Sequence, residues 1–190
     1  MRMPTLWDRY GRCSARRPCR FWTSGAETAR WPRELLRAGY DVYGVDASAT
    51  GISQASAEWP DRFFVYDLSR EVLPPEISGV RFTTVISTEV IEHLYDPRGL
   101  LRTARDVLRT GGRLIISTPY HGYLKNLALA ISGKLDDHFT VLWGGGHIKF
   151  FSRRTLEQML REQGFIPTRF FGAGRFPWLW KSMLIEAQSS

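Results

Sequence analysis

Val85–Pro97 reads V-I-S-T-E-V-I-E-H-L-Y-D-P, and its reading decides the fold class. Val85 and Ile86 end a short apolar run of the kind a buried strand needs, and Ser87 and Thr88 stand where that strand stops. Glu89, Glu92 and His93 follow at i, i+3 and i+4, so a helical turn beginning at Glu89 points all three to one side. Two carboxylates and an imidazole just past a strand's carboxyl end bind a divalent metal or move protons. The same residues equally suit a solvated helix start, where acids meet the positive end of the helix dipole.

The flanking sequence alternates strand and helix patterns. Upstream, Arg33–Ala38 reads as a helix end closed by Gly39, Tyr40–Val45 as a strand ending at Asp46, and Ser48–Glu58 as a helix. Phe63–Tyr66 is a strand ending at Asp67, Val72–Gly79 with Pro74 and Pro75 is a loop or broken helix, and Arg81–Ser87 is the next strand. Downstream come a helix over Gly99–Leu108 stopped by Gly111-Gly112, and a strand over Arg113–Ser117 ended by Thr118-Pro119. An apolar helix over Tyr123–Ser132, a glycine loop at Gly144–Gly146 and a Ser-capped helix over Ser152–Gln163 follow. Phe165–Phe171 and Ser182–Ala187 close the chain as strands with no helix between them. The alternation predicts an α/β domain over residues 33–190 with a mostly parallel sheet, and the last two strands predict an antiparallel edge.

A chain of 190 residues that is 43% hydrophobic and 24% charged builds one domain with a real core. No apolar run approaches the roughly 20 residues of a membrane helix, and Met1–Tyr10 lacks a signal peptide's apolar centre. A cytoplasmic protein without a transmembrane segment is the expectation. The net charge of +7 is confined: residues 1–33 hold eight Arg and two acids, leaving 18 basic and 17 acidic residues for the rest. A nearly neutral body argues against a nucleic-acid partner. Cys13 and Cys19 make neither a disulfide framework nor a zinc pattern.

In an open α/β sheet, ligands bind beyond the carboxyl ends of the strands. Asp46-Ala47 stands at one such end, where an acid accepts hydrogen bonds from the vicinal hydroxyls of a ribose. Asp67-Leu68 stands at the next, where an acid takes an adenine amino proton and the apolar neighbour covers the ring. Strand-end Asp is also a common cap, but two in succession point to a nucleoside cofactor.

Residues 34–190 resemble a class I S-adenosylmethionine-dependent methyltransferase of the small-molecule type. The resemblance rests on E-L-L-R-A-G-Y-D-V-Y-G-V-D-A-S, F-V-Y-D-L, E-V-I-E-H-L-Y-D-P, L-R-T-G-G-R-L-I-I-S-T-P and H-I-K-F-F-S-R-R-T-L-E-Q-M-L-R-E-Q-G-F, in that order. It implies a Rossmann-like sheet with helices on both faces. It also implies Asp46 at the ribose, Asp67 and Leu68 at the adenine, and Ser87–Glu89 at the methionine side. Two branches of that superfamily, ubiquinone-pathway O-methyltransferases and small-RNA 2′-O-methyltransferases, carry an E-x-x-E-H block for a divalent metal such as Mg. Glu89, Glu92 and His93 match it. In the RNA branch a further ligand is a His before an aromatic-Ser/Thr-Arg segment, which His147 before Phe151-Ser152-Arg153 resembles. Such a metal would grip an acceptor oxygen and lower the pKa of its hydroxyl. His147 also reads as a polar loop residue beside glycines, and His121 as a pocket or surface residue.

The resemblance implies an opening strand and a turn of the form hydrophobic-L-D-hydrophobic-G-x-G-x-G, whose glycines let backbone N–H groups approach the cofactor. Arg20–Pro32 reads R-F-W-T-S-G-A-E-T-A-R-W-P instead, offering only Gly25 and no evident buried strand. Codons for Phe21–Pro32 read one base earlier permit V-L-D-V-G-C-G-N-G-A-L-A, with Leu and Asp forced by the code and their neighbours necessarily apolar. The expectation is an aberrant or disordered segment over residues 1–32, translated in a shifted frame restored near Arg33. A genuine basic arm is the rival reading. Loss of the central strand would expose unpaired backbone and weaken cofactor binding.

Tyr120–Trp143 and the Phe176–Trp180 loop hold apolar and aromatic residues that suit the walls of an apolar or aromatic small-molecule acceptor pocket, or else pack together or form a homodimer contact. Methyl transfer to a hydroxyl oxygen is the favoured activity. A nicotinamide-dependent oxidoreductase and a catalytically impaired remnant or binding protein are the alternatives.

Overall fold

The computed structural model describes residues 20–24, 30–68, 73–139, 142 and 144–190. The chain runs β1 (Arg20–Ser24), α1 (Arg30–Arg37), β2 (Asp41–Asp46), α2 (Ala49–Glu58), β3 (Phe63–Val65), β4 (Phe82–Thr88), a 3-10 turn (Ile91–His93), α3 (Pro97–Val107) and β5 (Leu108–Pro119). It continues through α4 (Tyr123–Ile131), α5 (Leu135–Phe139), α6 (Arg153–Glu162), β6 (Phe165–Ala173) and β7 (Ser182–Ser189). The sheet order is β3-β2-β1-β4-β5-β7-β6. β1 to β5 pair in parallel, while β7 runs antiparallel to both β5 and β6, the expected closing edge.

Core patterning follows from helices covering both sheet faces. Within β4, Phe82, Thr84, Val85, Ile86 and Ser87 are all buried, as a strand enclosed on both sides requires. On one face Val85, Leu114, Ile116 and Ile185 meet Leu100, Leu101, Leu156 and Leu160 from α3 and α6. On the other, Val42, Ile86 and Ile115 meet Leu35, Leu36 and Ile52 from α1 and α2. Asp96 caps α3 by accepting from the Arg98 N–H, with Pro97 at the first helical position. Ser152 and Thr155 form a capping box that starts α6. Among the described residues no helix is long and apolar enough to cross a membrane.

The middle strand corrects the sequence reading. Arg20–Ser24 pairs with Asp41–Val45 on one side and, from Phe21, with Thr84–Ser87 on the other. Phe21, Trp22 and Thr23 suit a pleated surface without forming an apolar run. Two parallel neighbours with unpaired inner edges seat this stretch, a tertiary demand that periodicity does not reveal. The proposed boundary at residue 32 falls inside α1. The rest of the aberrant-segment expectation, residues 1–19 and 25–29, lies outside the described residues.

Candidate active site

The carboxyl ends of β2, β3, β4 and β5 open on one side of the sheet. At the end of β2 the Asp46 carboxylate accepts the Ser48 N–H at 2.9 Å, and Ser48 caps α2 by accepting from Gly51 at 3.2 Å. Ala47 beside it is exposed. The Tyr66 N–H donates to the Asp46 carbonyl at 2.8 Å, which carries Asp67 to the neighbouring strand end. Asp67 is exposed and Leu68 half-buried. Together they line a cleft of about 650 Å³ whose other walls include His93, Leu94 and Arg102. Gly99 also lines the cleft, where a Cβ would make only ordinary contacts, 3.5 Å from the Leu68 carbonyl and 3.4 Å from Asp96 Oδ2.

The turn after β4 departs from the helical reading. Glu89 has φ 51°, a left-handed conformation uncommon for Glu, and its N–H donates to the Ser117 carbonyl at 3.1 Å. The helical turn starts after it and is a 3-10 turn of three residues. Glu89 therefore does not share a face with Glu92 and His93. Its Oε1 accepts hydroxyl protons from Ser117 at 2.9 Å and Ser182 at 2.8 Å. Ser87, expected at the methionine side, has a fully buried side chain with no partner for Oγ among the described residues. Thr88 is half-exposed at the mouth.

Glu92 is completely buried. Its Oε2 accepts from Thr118 Oγ1 at 3.0 Å, while Oε1 has no partner among the described residues. Its carbonyl accepts the N–H groups of Ile148 and Lys149, each at 2.9 Å, which straps segment 144–150 across the turn. The strap brings His147 to His93, ring centroids 4.9 Å apart, with His93 Nδ1 3.3 Å from the Gly146 carbonyl. One ligand atom each of Glu92, His93 and His147 lies within 4.8 Å of the others. Burial pushes the Glu92 carboxyl up to about 7, and the Glu89 charge adds to the rise. Burial, reinforced by His93, lowers the pKa of His147.

Beyond β5 the chain turns through Tyr120, His121 and Gly122. A Cβ on Gly122 would meet the Tyr120 hydroxyl at 2.0 Å, so only glycine lets the phenol fold back. His121 is buried rather than exposed, stacked on Phe139 at 5.8 Å and edge-on to Phe150 at 5.0 Å. Burial, with the Lys125 charge adding, holds its imidazole down to about 4. Lys125 is itself buried and donates to the carbonyls of Tyr120 at 2.8 Å and Lys181 at 3.4 Å. Nothing in the sequence marked Lys125, Ser117 or Ser182, since each lies in another element from the motif it serves.

The expected apolar wall is present only in part. Tyr123, Leu124, Leu127 and Ile131 of α4 are exposed, as are Leu142, Phe176, Trp178 and Leu179. Trp180 instead packs on Tyr120 at 5.2 Å and Phe170 at 5.5 Å. Trp143 lies outside the described residues.

Comparison with known proteins places this arrangement in context. A methyltransferase-domain family matches residues 24–168. The ubiquinone biosynthesis O-methyltransferase of Cereibacter sphaeroides (strain ATCC 17025 / ATH 2.4.3) is 30% identical over 162 residues, covering 82% of this chain and 64% of that protein. The protein of that name from Caulobacter sp. (strain K31) is 35% identical over 112 residues, covering 57% and 42%. The chain thus spans less than two thirds of the length of these relatives. Among solved structures, the Synechocystis PCC 6803 magnesium protoporphyrin IX methyltransferase with bound SAH superposes with a TM-score of 0.70 at 18% identity, covering 98% of this chain and 80% of that one. A TehB-like SAM-dependent methyltransferase from Corynebacterium glutamicum gives 0.68 at 20% identity, covering 98% and 86%.

Proposed function

Because the chain belongs to the class I S-adenosylmethionine-dependent methyltransferases, we propose that it moves the methyl group of S-adenosylmethionine to an oxygen of a small-molecule acceptor. The observation that carries this reading is the convergence of Asp46, Asp67 and the Glu92–His93–His147 cluster at the carboxyl ends of adjoining strands. Asp46 accepts the ribose hydroxyls, with Ala47 leaving the approach open. Asp67 takes the adenine amino proton, and Leu68 packs on the ring. Thr88 and the backbone of Ser87 and Glu89 border the methionine portion. In the transfer the acceptor oxygen gains the methyl group, the sulfonium becomes a thioether, and the hydroxyl proton leaves to a base or to solvent.

A divalent cation fits the cluster, because among the described residues the buried Glu92 Oε1 lacks the partner that a cation would provide. One carboxylate oxygen and two imidazole nitrogens form a mixed donor set of moderate hardness. Glu89 stands outside it, occupied by Ser117 and Ser182. A bound cation would lower the pKa of an acceptor hydroxyl. Calorimetric titration with S-adenosylhomocysteine, followed by methyl transfer from labelled S-adenosylmethionine with and without chelator, tests both parts. Absence of binding by the chain carrying the restored V-L-D-V-G-C-G-N-G-A-L-A overturns the methyltransferase reading; turnover of that chain unchanged by chelator overturns the metal alone.

We propose further that Phe21–Pro32 is the shifted-frame rendering of V-L-D-V-G-C-G-N-G-A-L-A. The support is positional: Arg20–Ser24 occupies the central strand of the sheet, where the restored V-L-D-V would lie. Titrating S-adenosylhomocysteine into the chain as written and into the restored chain decides it. Tight binding by both would refute the shifted frame.

A further inference from the structure

Helix α4 is turned inside out. Its only buried residue is its one charged residue, Lys125, whose Nζ donates inward to the carbonyls of Tyr120 and Lys181. Tyr123, Leu127 and Ile131 recur at i, i+4 and i+8 and form a stripe facing solvent, 79%, 42% and 80% exposed. A helix whose burial ends with its own domain turns its apolar stripe to the core and its charge to water. The stripe continues onto the loop ahead of β7. Trp180 packs on Tyr120, which just precedes α4, and on Trp178, with 5.5 Å between the indole centroids. Phe176, Trp178 and Leu179 of this loop are exposed as well. Trp178 has φ 67°, a left-handed conformation that disfavours a bulky side chain. Strain that holds an indole out in solvent points to a surface with a use.

We propose that this stripe is the contact of a two-fold dimer and that its occupant is a second copy of the chain. The six side chains expose on the order of 700 Å². That exceeds the roughly 300–600 Å² of the largest patch on a typical monomer and approaches the about 800 Å² per partner of a standard interface. The charges around the stripe are self-complementary. Its loop end carries Arg175 and Lys181; its other end runs past Ile131 into Lys134, Asp136 and Asp137, and all five are exposed. A two-fold axis crossing α4 near Leu127 sets the two helices antiparallel, so Asp136 and Asp137 of one copy meet Arg175 and Lys181 of the other. An anionic lipid surface, by contrast, repels the acidic end. Trp178 and Tyr123 are of the residue types that anchor protein contacts. The dimer goes beyond the methyltransferase reading and does not rest on it.

Sedimentation equilibrium of the full chain over a range of concentrations is the test, with a monomer–dimer equilibrium expected. Ile131→Glu sets a charge in the apolar contact and is expected to weaken dimerisation about tenfold or more. Trp178→Gly removes the indole and relieves the left-handed backbone, so it is expected to weaken the dimer similarly without lowering the melting temperature of the dilute chain. Charge reversal reads the register. Asp136→Lys with Asp137→Lys is expected to weaken the dimer, and adding Arg175→Glu with Lys181→Glu to restore it. A monomer at every concentration, whether or not it binds phosphatidylglycerol vesicles, overturns the proposal. An open-ended assembly, a dimer that tolerates both Ile131→Glu and Trp178→Gly, or a fourfold charge reversal that fails to restore the dimer also overturns it.

Discussion

Replacing Glu92 by Gln tests the electrostatics of the candidate site directly. The amide keeps the side-chain shape and can still accept from Thr118, but it does not titrate. In the metal-free wild type the carboxyl is raised from 4.5 to about 7, mainly by burial. Between these values the unfolded chain has lost a proton that the folded chain retains. Stability conferred by this group is complete below pH 4.5 and is lost as pH rises through 7. The slope is about 1.4 kcal/mol per pH unit. From pH 5 to pH 8 the wild type should therefore lose about 2 to 3 kcal/mol more than Glu92→Gln, a large share of the roughly 5–15 kcal/mol of a typical domain. Urea unfolding of both proteins in chelator at the two pH values measures the difference, with all other titrating groups cancelling. Parallel stability profiles would refute the reasoning, because they would mean that Glu92 is ionised in the folded protein despite its burial. Adding Mg or Mn at pH 8 should then raise the melting temperature of the wild type and leave Glu92→Gln unmoved.

Asp46→Asn should weaken S-adenosylhomocysteine binding about tenfold or more, measured by calorimetry on whichever N-terminal version binds, since a charged acceptor for the ribose is lost. Gly122→Ala sets a Cβ against the Tyr120 hydroxyl at 2.0 Å and should lower stability by about 1–3 kcal/mol in thermal unfolding. Leu100→Ala opens a cavity at a completely buried position of α3 and should cost about 2–5 kcal/mol in urea unfolding.

Much of the fold was legible because its determinants are local. The apolar runs ending at Val45, Ile86 and Ile116, the Ser152 cap and the glycines at 39 and 164 each act within a few residues, and the elements they predict are present. The strand Arg20–Ser24 was not legible, because its place comes from two neighbours distant in sequence. Leu135–Phe139 was missed for want of length to show a period. At the site, the pairing of Glu92 with His93 and His147 followed from motif and resemblance. The displacement of Glu89 did not, because it depends on a single left-handed residue and on two serines from β5 and β7.

That displacement also explains why the antiparallel edge matters to the site. Ser182 begins β7, and its hydroxyl stands 2.8 Å from Glu89 Oε1 and 2.9 Å from the Thr118 carbonyl, with one proton to give to either. Thr118 in turn holds Glu92, while Ser117 holds Glu89 from the neighbouring position on the same strand. Adjacent residues of a strand point to opposite faces, so β5 sends one hydroxyl to each carboxylate and keeps the two charges apart. Without the separation, the Glu89 charge would lie nearer a buried carboxyl that it already pushes toward protonation. The proposed cation between Glu92 and the histidines needs Glu92 ionised, so holding Glu89 away with β7 would favour a single buried carboxylate as its ligand near neutral pH.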